Sequence, residues 1–258
     1  MPQDNIEFQN GHYQIWLLNL ETMENNFLTT AGAVGGLPDW SPDGKKIVYI
    51  KNYNIYVIEV ETKQITKLTN KSSCYFPSWS PDGQKIAYDM LTNWPTVSVD
   101  SAGIWIMSAD CSGEKQVVRF DGRDLDWSPD GDKLVFIQAS ADKAPYNEIS
   151  VVNINDSLVV RLTNNDFDDL YPSWSPDGNK IAWNSFGEGG DSLSGIWVMN
   201  ADGTEQRHLV TKGELPAWSP DGKQIVYSAS IIDAHKVQCV VLWLMNTDGT
   251  NQHPLIIP

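Results

Sequence analysis

The densest run of oxygen-bearing side chains in this 258-residue chain is Asn164-Asn165-Asp166-Phe167-Asp168-Asp169. Three carboxylates on one loop, Asp166, Asp168 and Asp169, are a calcium candidate, because Ca²⁺ accepts about six to eight oxygens in irregular geometry. Their spacing is not that of an EF-hand, and a solvated acidic loop is the plainer reading. Five other aspartates, Asp43, Asp82, Asp130, Asp177 and Asp221, recur inside one pentapeptide. Asp in such a setting bonds its own backbone, so a turn-forming role is expected for them. The chain has no Gly-x-Ser-x-Gly elbow, His-Glu-x-x-His pair, P-loop or dinucleotide fingerprint, so no residue is assigned a catalytic role. Cys74, Cys111 and Cys239 are odd in number and lack a CxxC spacing, which predicts buried or half-buried free thiols.

The pentapeptide is Trp-Ser-Pro-Asp-Gly, with its Trp at positions 40, 79, 127, 174 and 218, at intervals of 39, 48, 47 and 44 residues. A second pattern occurs six times, from Ile15-Trp16-Leu17-Leu18-Asn19 to Leu242-Trp243-Leu244-Met245-Asn246. A repeat of about 40–50 residues made of short strands has the period of propeller blades. In one repeat, strand A runs into the Trp, Ser-Pro-Asp-Gly turns the chain, and strand B alternates as in Gln224-Ile225-Val226-Tyr227. Strand C is the second pattern, and strand D ends near Leu-Thr, as at Leu68-Thr69 and Leu162-Thr163. Such a sheet cannot bury both faces alone, so copies stack around an axis. The expectation is an all-β, six-bladed β-propeller of four-stranded antiparallel blades with negligible helix. Its blades fall near 1–34, 35–71, 72–121, 122–165, 166–211 and 212–258 in a single domain over 1–258. The five motif Trp and the strand-C residues Trp16, Trp105, Trp197 and Trp243 are expected in the core between blades.

These residues resemble the TolB-like propeller family (PD40, or WD40-like, repeats), whose hallmark is Pro-x-Trp-Ser-Pro-Asp-Gly-x-x-Ile-x-Tyr/Phe. Pro77 to Tyr88 reads as one full copy. The resemblance implies six blades and a periplasmic or extracellular setting. The α/β domain that precedes the propeller in the family's namesake has no counterpart here. The first blade is incomplete: Asn10-Gly11 signals a hairpin joining Ile6-Glu7-Phe8 to the first strand C, with no Trp-Ser-Pro-Asp-Gly before it. The expectation is a seam closed by side-chain packing, without the usual shared strand.

Propeller function sits on the face carrying the D–A and B–C connections, because those loops ring the channel entrance. The residues expected there are Tyr75, Trp94, Arg123, Tyr146, Asp169, Tyr171, Phe186, Asp191, Glu214 and His235. Of the other histidines, His208 and His253 fall on strands D and His12 near a strand C, so none converges on the axis. The favoured function is a non-catalytic module that binds a protein, peptide or glycan. The alternatives are a metal-dependent propeller hydrolase or lactonase, or the propeller part of a larger peptidase or secretion protein.

Composition narrows the partners. Hydrophobic residues make up 41% and charged residues 20%, a globular balance. Eighteen Lys and Arg against 33 Asp and Glu leave a net charge of -15. That balance disfavours nucleic acid. No apolar run approaches the ~20 residues of a membrane span, and the first residues lack the pattern of a signal peptide. A closed propeller leaves only short edges, so a monomer or weak oligomer is expected.

Overall fold

A computed structural model describes residues 15–19, 22, 24–29, 38–71, 73–90, 101–138, 146–187, 193–232 and 238–255. None of them lies in an α-helix. They form six antiparallel sheets in chain order. Sheet 1 pairs β1 (Trp16–Leu18) with β2 (Asn25–Phe27). Sheet 2 holds β3 (Asp39–Trp40), β4 (Lys46–Lys51), β5 (Asn54–Glu59) and β6 (Ile65–Lys67). Sheet 3 holds β7 (Cys74–Trp79), β8 (Lys85–Met90), β9 (Gly103–Ser108) and β10 (Lys115–Gln116). Sheet 4 holds β11 (Gly122–Trp127), β12 (Lys133–Gln138), β13 (Glu148–Asn153) and β14 (Val159–Arg161). Sheet 5 holds β15 (Asp168–Trp174), β16 (Lys180–Phe186), β17 (Gly195–Asn200) and β18 (Arg207–Thr211). Sheet 6 holds β19 (Glu214–Trp218), β20 (Gln224–Ile232), β21 (Gln238–Asn246) and β22 (His253–Pro254). In each four-stranded sheet the strands lie side by side in sequence order, the A-B-C-D reading of the repeat. Ile6-Glu7-Phe8 and the seam lie outside the described residues.

The chain divides into two compact units, Met1–Gln116 and Val117–Pro258. Sheets 1 to 3 belong to the first and sheets 4 to 6 to the second.

Each Ser-Pro-Asp-Gly turn is closed by its own side chains. In sheet 5 the Ser175 hydroxyl donates to Asp177 Oδ1 at 2.6 Å and accepts from the Lys180 N–H at 2.9 Å. The same Asp177 oxygen accepts from the Asn179 N–H at 3.0 Å. Gly178 takes φ of 71°, and its N–H donates to the Ser175 carbonyl. A side chain at that φ is strained, which is why Gly ends the motif. The other four copies repeat the Ser–Asp bond at 2.5 to 2.7 Å. The serine hydroxyl holds each of the five carboxylates below the ordinary carboxylate range. The motif aspartates are turn formers.

The core is layered between neighbouring sheets. In unit one, Val48, Ile55, Trp79, Ile86 and Tyr88 pack between sheets 2 and 3. In unit two, Val135, Ile149, Trp174, Ile181 and Trp183 pack between sheets 4 and 5, and Ala182, Ile196, Ile225 and Tyr227 between sheets 5 and 6. Asp residues just before two motif Trp fasten these layers: Asp39 accepts the Trp79 N–H at 2.7 Å, and Asp126 accepts the Trp174 N–H at 2.7 Å.

The tryptophans are less uniformly buried than expected. Trp79, Trp127 and Trp174 are buried, but Trp16 is 53% and Trp40 47% exposed. Trp105, Trp197 and Trp243 are half-buried. A strand-C ring covers the strand-B aromatic beside it, as Trp197 does Trp183 at 5.9 Å, and leaves its outer edge in water. Trp105 carries a further load: the Lys71 ammonium lies 4.0 Å over its ring while pairing with the Glu114 carboxylate at 2.7 Å. The thiols differ likewise. Cys74 is buried, but Cys111 is exposed in a turn.

In sheet 6 the central hairpin is longer than its neighbours, nine residues per strand. β19 reaches only Ser228, and β22 pairs only with Trp243 and Leu244. Among the described residues, 229–232 and 238–241 thus continue as a two-stranded ribbon.

Candidate recognition site on the first strands

Strand A breaks register at the same place in four sheets. The ladder shifts between Tyr75 and Ser78, Arg123 and Asp126, Leu170 and Ser173, and Glu214 and Ala217. At each break the residue three before the motif Trp is left-handed: Phe76 (φ 45°), Asp124 (48°), Tyr171 (52°) and Leu215 (54°). None is glycine. Non-glycine residues in that region cost about 1–3 kcal/mol each and persist where surrounding structure over-determines them. A bulge re-aims the side chains around it. Four copies of one strained backbone therefore present four different side chains.

In unit two, three of these strands are neighbours. β11 packs beside β15, and β15 beside β19. The Asp126–Trp174 bond ties the first pair, and the Trp218 indole N–H donating to the Ser173 carbonyl at 3.1 Å ties the second. Equivalent positions lie side by side, which gathers Arg123, Asp124, Tyr171, Glu214 and Leu215. Tyr171 is 37% and Leu215 52% exposed. Burial, together with the charges of Asp124 and Glu214, pushes the Tyr171 phenol above its ordinary value. Burial also pushes the Asp124 carboxyl up to about 6, with Arg123 pulling the other way. Asp124 Oδ1 is buried without a hydrogen-bond partner among the described residues. The Arg123 guanidinium is turned toward Asp121, Nη2 to Oδ2 at 2.9 Å. Asp121, Asp124 and Glu214 outnumber Arg123, so the patch is negative.

The expected site residues separate into groups. Arg123, Tyr171 and Glu214 come together as above. Tyr75 is the second residue of the corresponding strand of unit one, half-buried, its ring 5.6 Å from Tyr53. Tyr146 is half-buried ahead of β13, and Phe186 is exposed at the end of β16 opposite Asp168. Trp94, Asp191 and His235 lie outside the described residues, as does His12. His208 and His253 stand on strands D. Asp124 was missed by sequence reasoning, because an Asp does not announce the left-handed bulge it occupies.

The oxygen-rich loop does not gather its carboxylates. Asp166 is exposed, and Asp168 accepts the Asn147 backbone and side-chain N–H groups at 2.9 and 2.8 Å. Asp169 is fully buried and accepts from Asn165 Nδ2 at 2.9 Å; burial raises its carboxyl against the hydrogen bonds that hold it. The loop is anchored from beneath by buried Glu148, which accepts from Arg161, Thr163 and the Asn165 N–H at 2.7 to 3.0 Å. No three His, Cys, Asp or Glu side chains converge to hold a metal ion among the described residues. Burial pushes the Cys74 thiol up to about 11, which makes it a poor nucleophile at neutral pH.

A family model described as the TolB beta propeller domain (PD40) matches residues 5–93 and 73–256. The chain belongs to the TolB β-propeller family. The Tol-Pal system protein TolB of Francisella tularensis subsp. mediasiatica is 26% identical over 211 residues, 79% of this chain and 47% of that protein. This TolB-family propeller thus spans about half the length of the curated relatives it first matches. A putative TolB structure from Agrobacterium tumefaciens superposes with a TM-score of 0.75 at 21% identity, over 94% of this chain and 88% of that one. The oligogalacturonate lyase of Vibrio parahaemolyticus superposes at 0.70 with 18% identity, over 93% and 70%. Identities this low carry the fold alone, and the fold is the six-bladed, all-β propeller that the repeat predicts. No helix of the described residues is long and apolar enough to cross a membrane.

Proposed function

We propose that this TolB-family propeller is a non-catalytic binding module whose ligand is an extended protein segment laid across the neighbouring bulges of β11, β15 and β19 in its second unit. One observation carries the reading. The same left-handed bulge recurs three residues before the Trp in four sheets, and its side chain changes from Phe76 to Asp124 to Tyr171 to Leu215. A constant backbone with varied side chains is the economy of a recognition surface: rigid sheets fix the positions, and the residue types set the specificity. Aromatic and Arg side chains are the usual anchors of such surfaces. The partial match to a Tol-Pal system protein points the same way, toward assembly with other proteins.

The test is panning of a displayed random-peptide library on the whole chain. Enriched peptides should lose at least tenfold in affinity for a Tyr171→Ala, Leu215→Ser double variant, both residues being exposed. Failure to enrich any sequence, or enrichment blind to both changes, would overturn the reading.

A further inference from the structure

Resting on that reading, we infer that the Asp124–Tyr171–Glu214 patch takes a single cationic side chain, Arg or Lys, from the bound segment. Tyr171 is exposed on β15, which lies between β11, carrying Asp124, and β19, carrying Glu214, and both carboxylates help to raise its phenol. An aromatic face flanked by acids is the arrangement that holds an organic cation, through the ring quadrupole and charge-assisted hydrogen bonds together. Asp124 Oδ1, buried and without a hydrogen-bond partner among the described residues, is an acceptor that an N–H group reaching the carboxylate would satisfy. Of the charges around Asp124, Arg123 offsets it in part. Arg123 on its own strand is engaged with Asp121, and β15 offers Tyr171.

The protein holds one ammonium in this manner already. Lys71 sits 4.0 Å over Trp105 with the Glu114 carboxylate at 2.7 Å. There the cation comes from the same chain; at Asp124–Tyr171–Glu214 the aromatic and the acids are present, and the exposed ring is open to a partner's. A hard metal ion fits less well, since it seeks about six or more oxygens and the patch offers two carboxylates and a phenol. The chain's net charge of -15 adds long-range attraction for a basic segment.

The probe is the capped pentapeptide Gly-Ser-Arg-Ser-Gly, with its citrulline counterpart as a neutral isostere. Binding is followed by amide shifts of the full chain in NMR titration at low salt. The arginine peptide should shift signals near Tyr171 and bind at least tenfold tighter than the citrulline peptide at pH 7.5. That preference should shrink several-fold at pH 5 and in Asp124→Asn. Glu214→Gln, a change at an exposed position, should weaken it without disturbing the fold and serves if Asp124→Asn fails to fold. Equal binding of the two peptides, or no arginine-peptide binding up to about 10 mM, roughly the weakest affinity worth calling specific, overturns the inference. Library peptides that enrich yet lack a basic residue sink it while leaving the broader reading intact.

Discussion

Cys111 occupies a position that is glycine in two other strand C–D turns of the chain. In the turns joining strands C and D of sheets 3, 5 and 6, Cys111 (φ 71°), Gly203 (87°) and Gly249 (83°) each donate their N–H three residues back, to Ser108, Asn200 and Asn246. Asp110, Asp202 and Asp248 brace these turns by accepting the N–H two residues on. A left-handed non-glycine residue costs roughly 1–2 kcal/mol, and glycine's unfolded-state freedom returns part of it. Cys111→Gly should therefore stabilise the protein by about 0.5–1 kcal/mol, read as a higher urea midpoint with an unchanged slope. Ser175→Ala acts oppositely. It removes the hydroxyl that donates to Asp177 and accepts from Lys180, and should cost about 1–2 kcal/mol by the same measurement. A midpoint within error of the parent in either variant would remove the side-chain account of these turns.

The strands of each sheet could be read from the repeat, because each Trp-Ser-Pro-Asp-Gly fixes where strand A ends and strand B begins. Sheets 2 to 6 each begin at a strand A that ends on the motif Trp and finish at a strand D. What the repeat concealed was the bulge. Period-2 alternation assigns faces only while the register holds, and one extra residue exchanges inside for outside. Asp169 and Tyr171 are two apart and were read as facing the same loop surface; across the break one is fully buried and the other exposed. Asp124 stayed hidden for the same reason, since nothing in its residue type announces a left-handed φ. Close backbone approach is legible only in the structure too. A Cβ built at Gly195, itself at φ 130°, would stand 1.9 Å from the Val210 carbonyl oxygen, where β17 pairs with β18. Gly195→Ala should part these strands and cost on the order of 3 kcal/mol, with Trp197 fluorescence shifted to the red. A variant that melts like the parent would show that β18 yields freely.

Across the whole molecule the carboxylates pull in opposite directions with pH. Eight turn aspartates, Asp43, Asp82, Asp110, Asp130, Asp177, Asp202, Asp221 and Asp248, are held below the ordinary range by hydroxyl donors. Their contribution is present above the unfolded-state pKa and is lost as pH falls through the depressed folded values. Asp39, Asp124 and Asp169 are raised by burial, so their burden on the fold is relieved as they protonate, Asp124 near 6. Tm should rise slightly from pH 7 toward about 5 and drop steeply below about 4, where the turns lose their anions. A Tm flat from pH 7 to 3 would contradict the turn chemistry. The overhanging ribbon of sheet 6 has a consequence of another kind. Its strands pair with each other through Ala229↔Val241 to Ile232↔Gln238, but β19 and β22 stop short of it. Outward-facing amides there have no ladder partner among the described residues. In deuterated buffer those of 229–232 and 238–241 should label within seconds, while 224–228 of the same strand keep their protons far longer. Mass spectra of peptides cut between Ser228 and Ala229 would show one strand carrying two clocks.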